Sequence, residues 1–248
     1  MEKQNYSPKE FENTFDKFIL EFAGGCRIDQ EYASIIPENT KAADYHLSNK
    51  DIIIELKCLA KSHGSTSYVL DLIEKAVKQH GFPSNTLENW MSRQERLPKK
   101  IRGIVDSTVQ NSLKGAVRKA NMQLTSSKKL LGRSNDGILI VANLNETLFS
   151  PVELLRNIAG HVLNRTSSDV DAVLLITPGV KYSTPKEGTH HYAIPVYADG
   201  KEYLGEFIDP FVTSWLRYEA ELLGVKLDLE VLTELDEASK SARASLTP

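Results

Sequence analysis

Cysteine is nearly absent: Cys26 and Cys58 are the only two in 248 residues. A disulfide-stapled scaffold is thereby excluded, and reduced thiols are expected. Long apolar runs are missing as well. No stretch is long enough to span a bilayer, and Met1 to Glu10 carries no apolar signal-peptide core. The expected compartment is the cytoplasm, with no membrane partner. Excess positive charge is also lacking, since the chain carries a net charge of -3. Any surface that attracts polyanions must therefore be local. Neither a P-loop, a dinucleotide fingerprint nor a Gly-x-Ser-x-Gly elbow occurs. His190-His191 reads as a loop pair with no further His or Cys at zinc-ligand spacing.

The residues that are present centre on Lys41 to Leu59, KAADYHLSNKDIIIELKCL. This stretch reads as a β-hairpin, with a short strand through Ala43, Asp44 and Tyr45, a turn at Ser48-Asn49-Lys50, and a strand from Ile52 to Leu59. Side chains alternate along a strand. Ile52, Ile54, Leu56 and Cys58 share the core face, and Ile53, Glu55 and Lys57 share the other. Two opposite charges thus project from an otherwise apolar strand, where charge is costly unless it is paired or bound to a cation. Asp44 can be brought beside Glu55, and two carboxylates next to a lysine suit a hard divalent cation. A simple ion pair on a solvated strand face fits the same residues. His46 reads as an exposed strand residue, with a place behind Asp44 as the alternative.

Asp44 followed by Glu55-Leu56-Lys57 resembles the PD-(D/E)XK nucleases, the restriction-endonuclease-like superfamily. Ala43 stands where the name-giving proline would be. The resemblance implies an αβββαβ core, and the flanking sequence offers those elements in order. A helix is expected from Pro8 to about Ala23. Ser7, Pro8 and Glu10 form its capping box, and Phe11, Phe15, Phe18, Ile19 and Phe22 form its stripe. Gly24-Gly25 ends it. Glu31 to Ile36 reads as the next strand, and the hairpin comes after it. A helical insertion is expected over about 62–100, then one long helix or two in series over Ile101 to Leu131, with Gly115 as the break. Gly137 to Asn143 is a buried strand.

The resemblance also implies roles. Asp44, Glu55 and a main-chain carbonyl near Leu56 would bind Mg²⁺, with Mn²⁺ substituting, and Lys57 would act on the attacking water. One of Glu10, Glu12, Asp16 and Glu21 on the first helix is a further candidate. A residue of the later helix reaches toward the metal: Gln123, at the edge of the stripe Leu113, Val117, Ala120, Leu124 and Leu131, or else Lys119 or Lys128. The activity implied is hydrolysis of phosphodiester bonds, in DNA above all, in restriction, repair or phage defence. A catalytically inactive nucleic-acid-binding protein of the same fold is the alternative. An α/β enzyme acting on a small phosphorylated substrate is a third reading, and a homodimer is compatible with any of these.

Residues 93–133 carry eleven basic side chains against Glu95 and Asp106, a local charge of +9. Lys114, Arg118, Lys119, Lys128 and Lys129 are the expected nucleic-acid contacts. The remainder reads as an α/β extension over 144–235. It comprises a helix from Pro151 to about Asn164, a strand from Ala172 to Thr177, a hairpin of Tyr192–Ala198 with Lys201–Phe207 about Asp199-Gly200, and a helix from Asp209-Pro210. Residues 236–248 read as a frayed tail. With no repeat and no clear linker, one domain over 1–248 is expected, with its core at 7–143.

Overall fold

Six strands form one mixed sheet in strictly sequential order. The computed structural model describes residues 7–59, 66–92, 98–144, 151–163, 168–181 and 189–224. The chain opens with α1 (Pro8–Glu21), whose first turn is closed reciprocally. The Ser7 hydroxyl accepts from the Glu10 N–H at 3.2 Å, and the Glu10 carboxylate accepts from the Ser7 N–H at 2.8 Å. Then come β1 (Cys26–Arg27), α2 (Ile28–Glu31), β2 (Tyr45–Leu47) and β3 (Ile52–Leu59). The helical insertion holds α3 (Thr66–His80) and α4 (Thr86–Met91). After it run α5 (Lys99–Leu131), β4 (Asp136–Asn143), α6 (Pro151–Val162), β5 (Ala172–Lys181), β6 (Thr189–Tyr197) and α7 (Gly205–Leu223).

β1, β2 and β3 pair antiparallel, β3, β4 and β5 parallel, and β5 and β6 antiparallel. The alternation read from β3 sorts its side chains into two cores. Ile52, Ile54 and Leu56 join the aromatic face of α1 and α7, whereas Ile53 joins the layer of α5 and α6. The sheet therefore lies between two helical layers. A third, smaller cluster of Ile73, Ala76, Val77 and Ile101 ties α3 to the N-terminal end of α5.

Four expectations need correction. Glu31 to Ile36 is not a strand: α2 ends at Glu31, and the Ile35 and Ile36 N–H groups turn back onto the Tyr32 carbonyl. The strand in that place is the two-residue β1, which pairs with β2. Asp199-Gly200 does turn the chain, with Gly200 at φ +76°. Instead of a returning strand, the chain then enters a 3₁₀ turn at Glu202–Leu204 and continues into α7, which takes in Pro210 rather than starting there. His190 and His191 belong to β6, not to a loop. Of the two forms expected for α5, the single helix is the one found: 33 residues, uninterrupted at Gly115. The 236–248 tail lies outside the described residues, as does most of the loop before Thr66.

Candidate functional site

Asp44 immediately precedes β2, and Glu55 and Lys57 sit in β3, so the hairpin brings the three together as its register requires. The Leu56 N–H donates to Asp44 Oδ2 at 2.8 Å, which fastens Asp44 to the strand that carries Glu55. Glu55 has 0 % of its surface exposed. Its Oε1 accepts from Lys57 Nζ, and its Oε2 is buried without a partner. Lys57 Nζ also donates to Gln123 Oε1 at 3.1 Å, and Gln123 Nε2 donates to the Ala42 carbonyl at 3.0 Å. One amide from α5 thus spans the two sides of the hairpin's mouth.

The electrostatics arise from that burial. Desolvation, and then the Asp44 charge, raise the Glu55 carboxyl to about 8 against the pull of Lys57. Burial also pushes Asp44 up, opposed by the Leu56 N–H and by the charges of Lys57 and Arg27. Cys58 is pushed to about 12 by burial and then by Glu12. Glu12 also acts on Asp44, which makes it the first-helix carboxylate nearest this site in effect. Glu10 is engaged in the capping box, and Asp16 accepts from Arg27 at 2.8 Å and from Tyr45.

Two carboxylates short of positive charge, one with an orphaned buried oxygen, fit a hard cation in charge and in donor type. They form a pair and no more: among the described residues no group of three or more His, Cys, Asp and Glu side chains is placed to hold a metal ion. His46, expected to be exposed, is buried instead. Its Nδ1 lies 2.9 Å from the Tyr32 hydroxyl, and its Nε2 has no partner.

The basic residues of α5 divide. At 3.6 residues per turn, Lys119 lies about 40° from Gln123 around the helix axis, whereas Lys129, Arg118 and Lys114 lie about 120° to 180° away. Asn121, about 160° from Gln123 on the same count, marks that opposite flank. Its Oδ1 accepts from the Asp169 N–H at 2.9 Å. Lys114, Arg118, Lys119 and Lys129 are all exposed. Lys128 is not a surface contact: it is 6 % exposed, and its Nζ is held by Asp171 Oδ2 at 2.6 Å. Asp171 also accepts from the Gly137 N–H at 2.7 Å and pairs with Lys201 at 3.1 Å. This network joins α5 to the start of β4, and the single displaced charge on the apolar stripe of α5 was its only trace in the sequence.

A cleft of about 390 Å³ adjoins the site, walled by Ala33, Ile36, Lys41, Ala42, Asp44 and Gln123 among others. Sequence reasoning missed it, because the wall comes from the turn after α2, where a strand was expected. Comparison with protein families, with curated proteins and with solved structures finds no match to this chain.

Proposed function

We propose that this chain is a metal-dependent phosphodiesterase that hydrolyses nucleic acid, DNA above all, with a core like that of the PD-(D/E)XK nucleases. The observation that carries the reading is the pairing of the buried Glu55 with the half-buried Asp44, with Lys57 against Glu55 and one Glu55 oxygen unpartnered. A buried carboxylate left incompletely compensated is costly and stands out as a functional group. The order of helix, three strands, helix and strand supports the same reading once α2, α3 and α4 are taken as additions.

Asp44, Glu55 and the main-chain carbonyl beside Leu56 would hold one or two Mg²⁺ ions, with Mn²⁺ able to substitute. A cation there supplies positive charge to a phosphodiester and makes water more acidic. Lys57, as an ammonium, orients the attacking water and opposes the negative charge that grows on the phosphate. Gln123 positions that ammonium through its Oε1, while its Nε2 stays anchored on Ala42. The test is incubation of the purified protein with plasmid, linear and single-stranded DNA and with RNA, in Mg²⁺, Mn²⁺ or EDTA. Cleavage that EDTA abolishes is the expected result; no cleavage of any substrate in either metal overturns the reading.

A binding protein of the same fold without catalysis is the second reading. The exposed cations of α5 that face away from Asp44 and Glu55 favour it. It predicts retention of DNA with no product.

A further inference from the structure

We propose that the cleft beside Asp44 takes a single nucleotide of the strand to be cut, so that the preferred substrate is single-stranded or locally unpaired nucleic acid. This rests on the nuclease reading above and specifies its substrate.

Three observations converge on it. The first is size and place. About 390 Å³ is at the lower end of the range of small-molecule sites and matches one base with its sugar and phosphate. Asp44 and Gln123 belong to its wall, and Gln123 also holds Lys57. A nucleotide seated in the cleft therefore has its neighbouring phosphodiester beside the carboxylates.

The second is chemistry. Ala33, Ile36 and Ala42 offer apolar surface to a base or sugar. Lys41 is exposed, with no ion-pair partner among the described residues, and stands ready for a phosphate. Gln123, tied to Lys57 and Ala42, and Asp29, whose two oxygens accept from Arg27, give the cleft a polar rim. Enzymes that do chemistry on a base take it from a single strand or extrude it into such a pocket, at a cost of roughly a few kcal/mol for unpairing, and seating one nucleotide here carries the same cost on a duplex.

The third is the distribution of charge. A protein that grips a long duplex neutralises many phosphates. Of the exposed cations on α5 that were expected to contact nucleic acid, only Lys119 shares the flank of Gln123. That side of the molecule suits a short unpaired strand better than an extended double helix.

The experiment uses Ala33→Phe, which places a ring in the cleft from an exposed position, with Ile36→Ala as the variant that enlarges it. Binding of deoxynucleoside 5′-monophosphates in Ca²⁺ is measured by calorimetry. Cleavage of matched single-stranded and blunt duplex oligonucleotides is measured in Mg²⁺. Wild type should bind the mononucleotides and cut the single strand with a kcat/KM at least tenfold above that for the duplex. Ala33→Phe should weaken mononucleotide binding at least tenfold and bring the two cleavage rates together, while Ile36→Ala, which trims the wall without filling the cleft, should weaken binding less than Ala33→Phe. Duplex cut as fast as single strand by wild type, or mononucleotide binding that is absent or indifferent to Ala33→Phe, overturns the cleft assignment and leaves the nuclease reading standing. Mononucleotide binding that Ala33→Phe blocks, with no cleavage by wild type, keeps the cleft as a nucleotide site and overturns the nuclease reading.

Discussion

Glu55 is the residue whose environment has the clearest thermodynamic consequence. Its carboxyl is raised from an ordinary 4.5 to about 8 by burial and by Asp44. A raised acid favours the neutral form in the folded chain. Its stabilising share is complete below about pH 4.5 and is lost as pH climbs through 8. Without divalent cation the thermal midpoint should therefore fall between pH 5 and pH 8. Glu55→Gln should flatten that fall and be more stable at pH 8 by on the order of a few kcal/mol. Added Mg²⁺ should raise the midpoint of wild type at pH 8 and leave the variant unmoved. Equal pH dependence in the two proteins would remove Glu55 as the group responsible. Lys57→Ala should lower turnover by about 10²–10⁴-fold while DNA binding in Ca²⁺ persists, since its charge is needed in the transition state. Loss of binding with unchanged turnover at saturation would recast it as a phosphate anchor. Glu55 and Lys57 stood out as charges in an apolar strand, whereas Asp44 and Gln123 were singled out by the resemblance to the PD-(D/E)XK motif; the fold brings the four side by side. The burial of His46 was not legible, because Tyr32, in the turn that replaces the expected strand, packs against its ring.

At the scale of elements, β3 was readable to its ends because a β-branched run sits between turn residues and is buried on both faces. The start of α7 was not. Leu204, Ile208, Phe211 and Trp215 form a helical stripe that begins before Pro210, and reading proline as a starting signal hid it. The junction of α5 with β4 makes a stability prediction. A Cβ on Gly137 would meet the Asp169 carbonyl oxygen at 2.1 Å and Lys128 Cε at 3.0 Å. Gly137→Ala should therefore cost about 1–3 kcal/mol or more in urea unfolding, as overpacking does. A loss below about 0.5 kcal/mol, the scale of an ordinary surface substitution, would show that the backbone there yields freely. On the outer side of α5, Lys114→Ala with Arg118→Ala tests the stripe that faces away from Gln123. Each phosphate contact removed should lower the log–log salt slope of DNA binding by about one unit. Single-strand turnover at saturation should not change. An unaltered slope would make the stripe an ordinary solvated surface.

For the whole molecule, the aromatic layer joins the two ends of the described chain. Trp215 of α7 lies 5.5 Å from Phe11 and 5.3 Å from Phe18 of α1, ring centre to ring centre. Trp215 is fully buried, and Trp215→Ala should cost about 3–5 kcal/mol by denaturant titration. That closure has a consequence for biosynthesis. Every strand pairs with the one made just before it, so the sheet can grow in the order of translation without waiting for a later partner. The aromatic side of α1 cannot be completed in that order: β2 and β3 cover part of it, but the rings of α7 are encoded roughly 200 residues downstream. At about 5–20 residues per second, the part that α7 covers stays open for about 10–40 s on the ribosome. Nascent chains arrested before α7 should bind holdase chaperones through α1, and release should coincide with the emergence of Trp215.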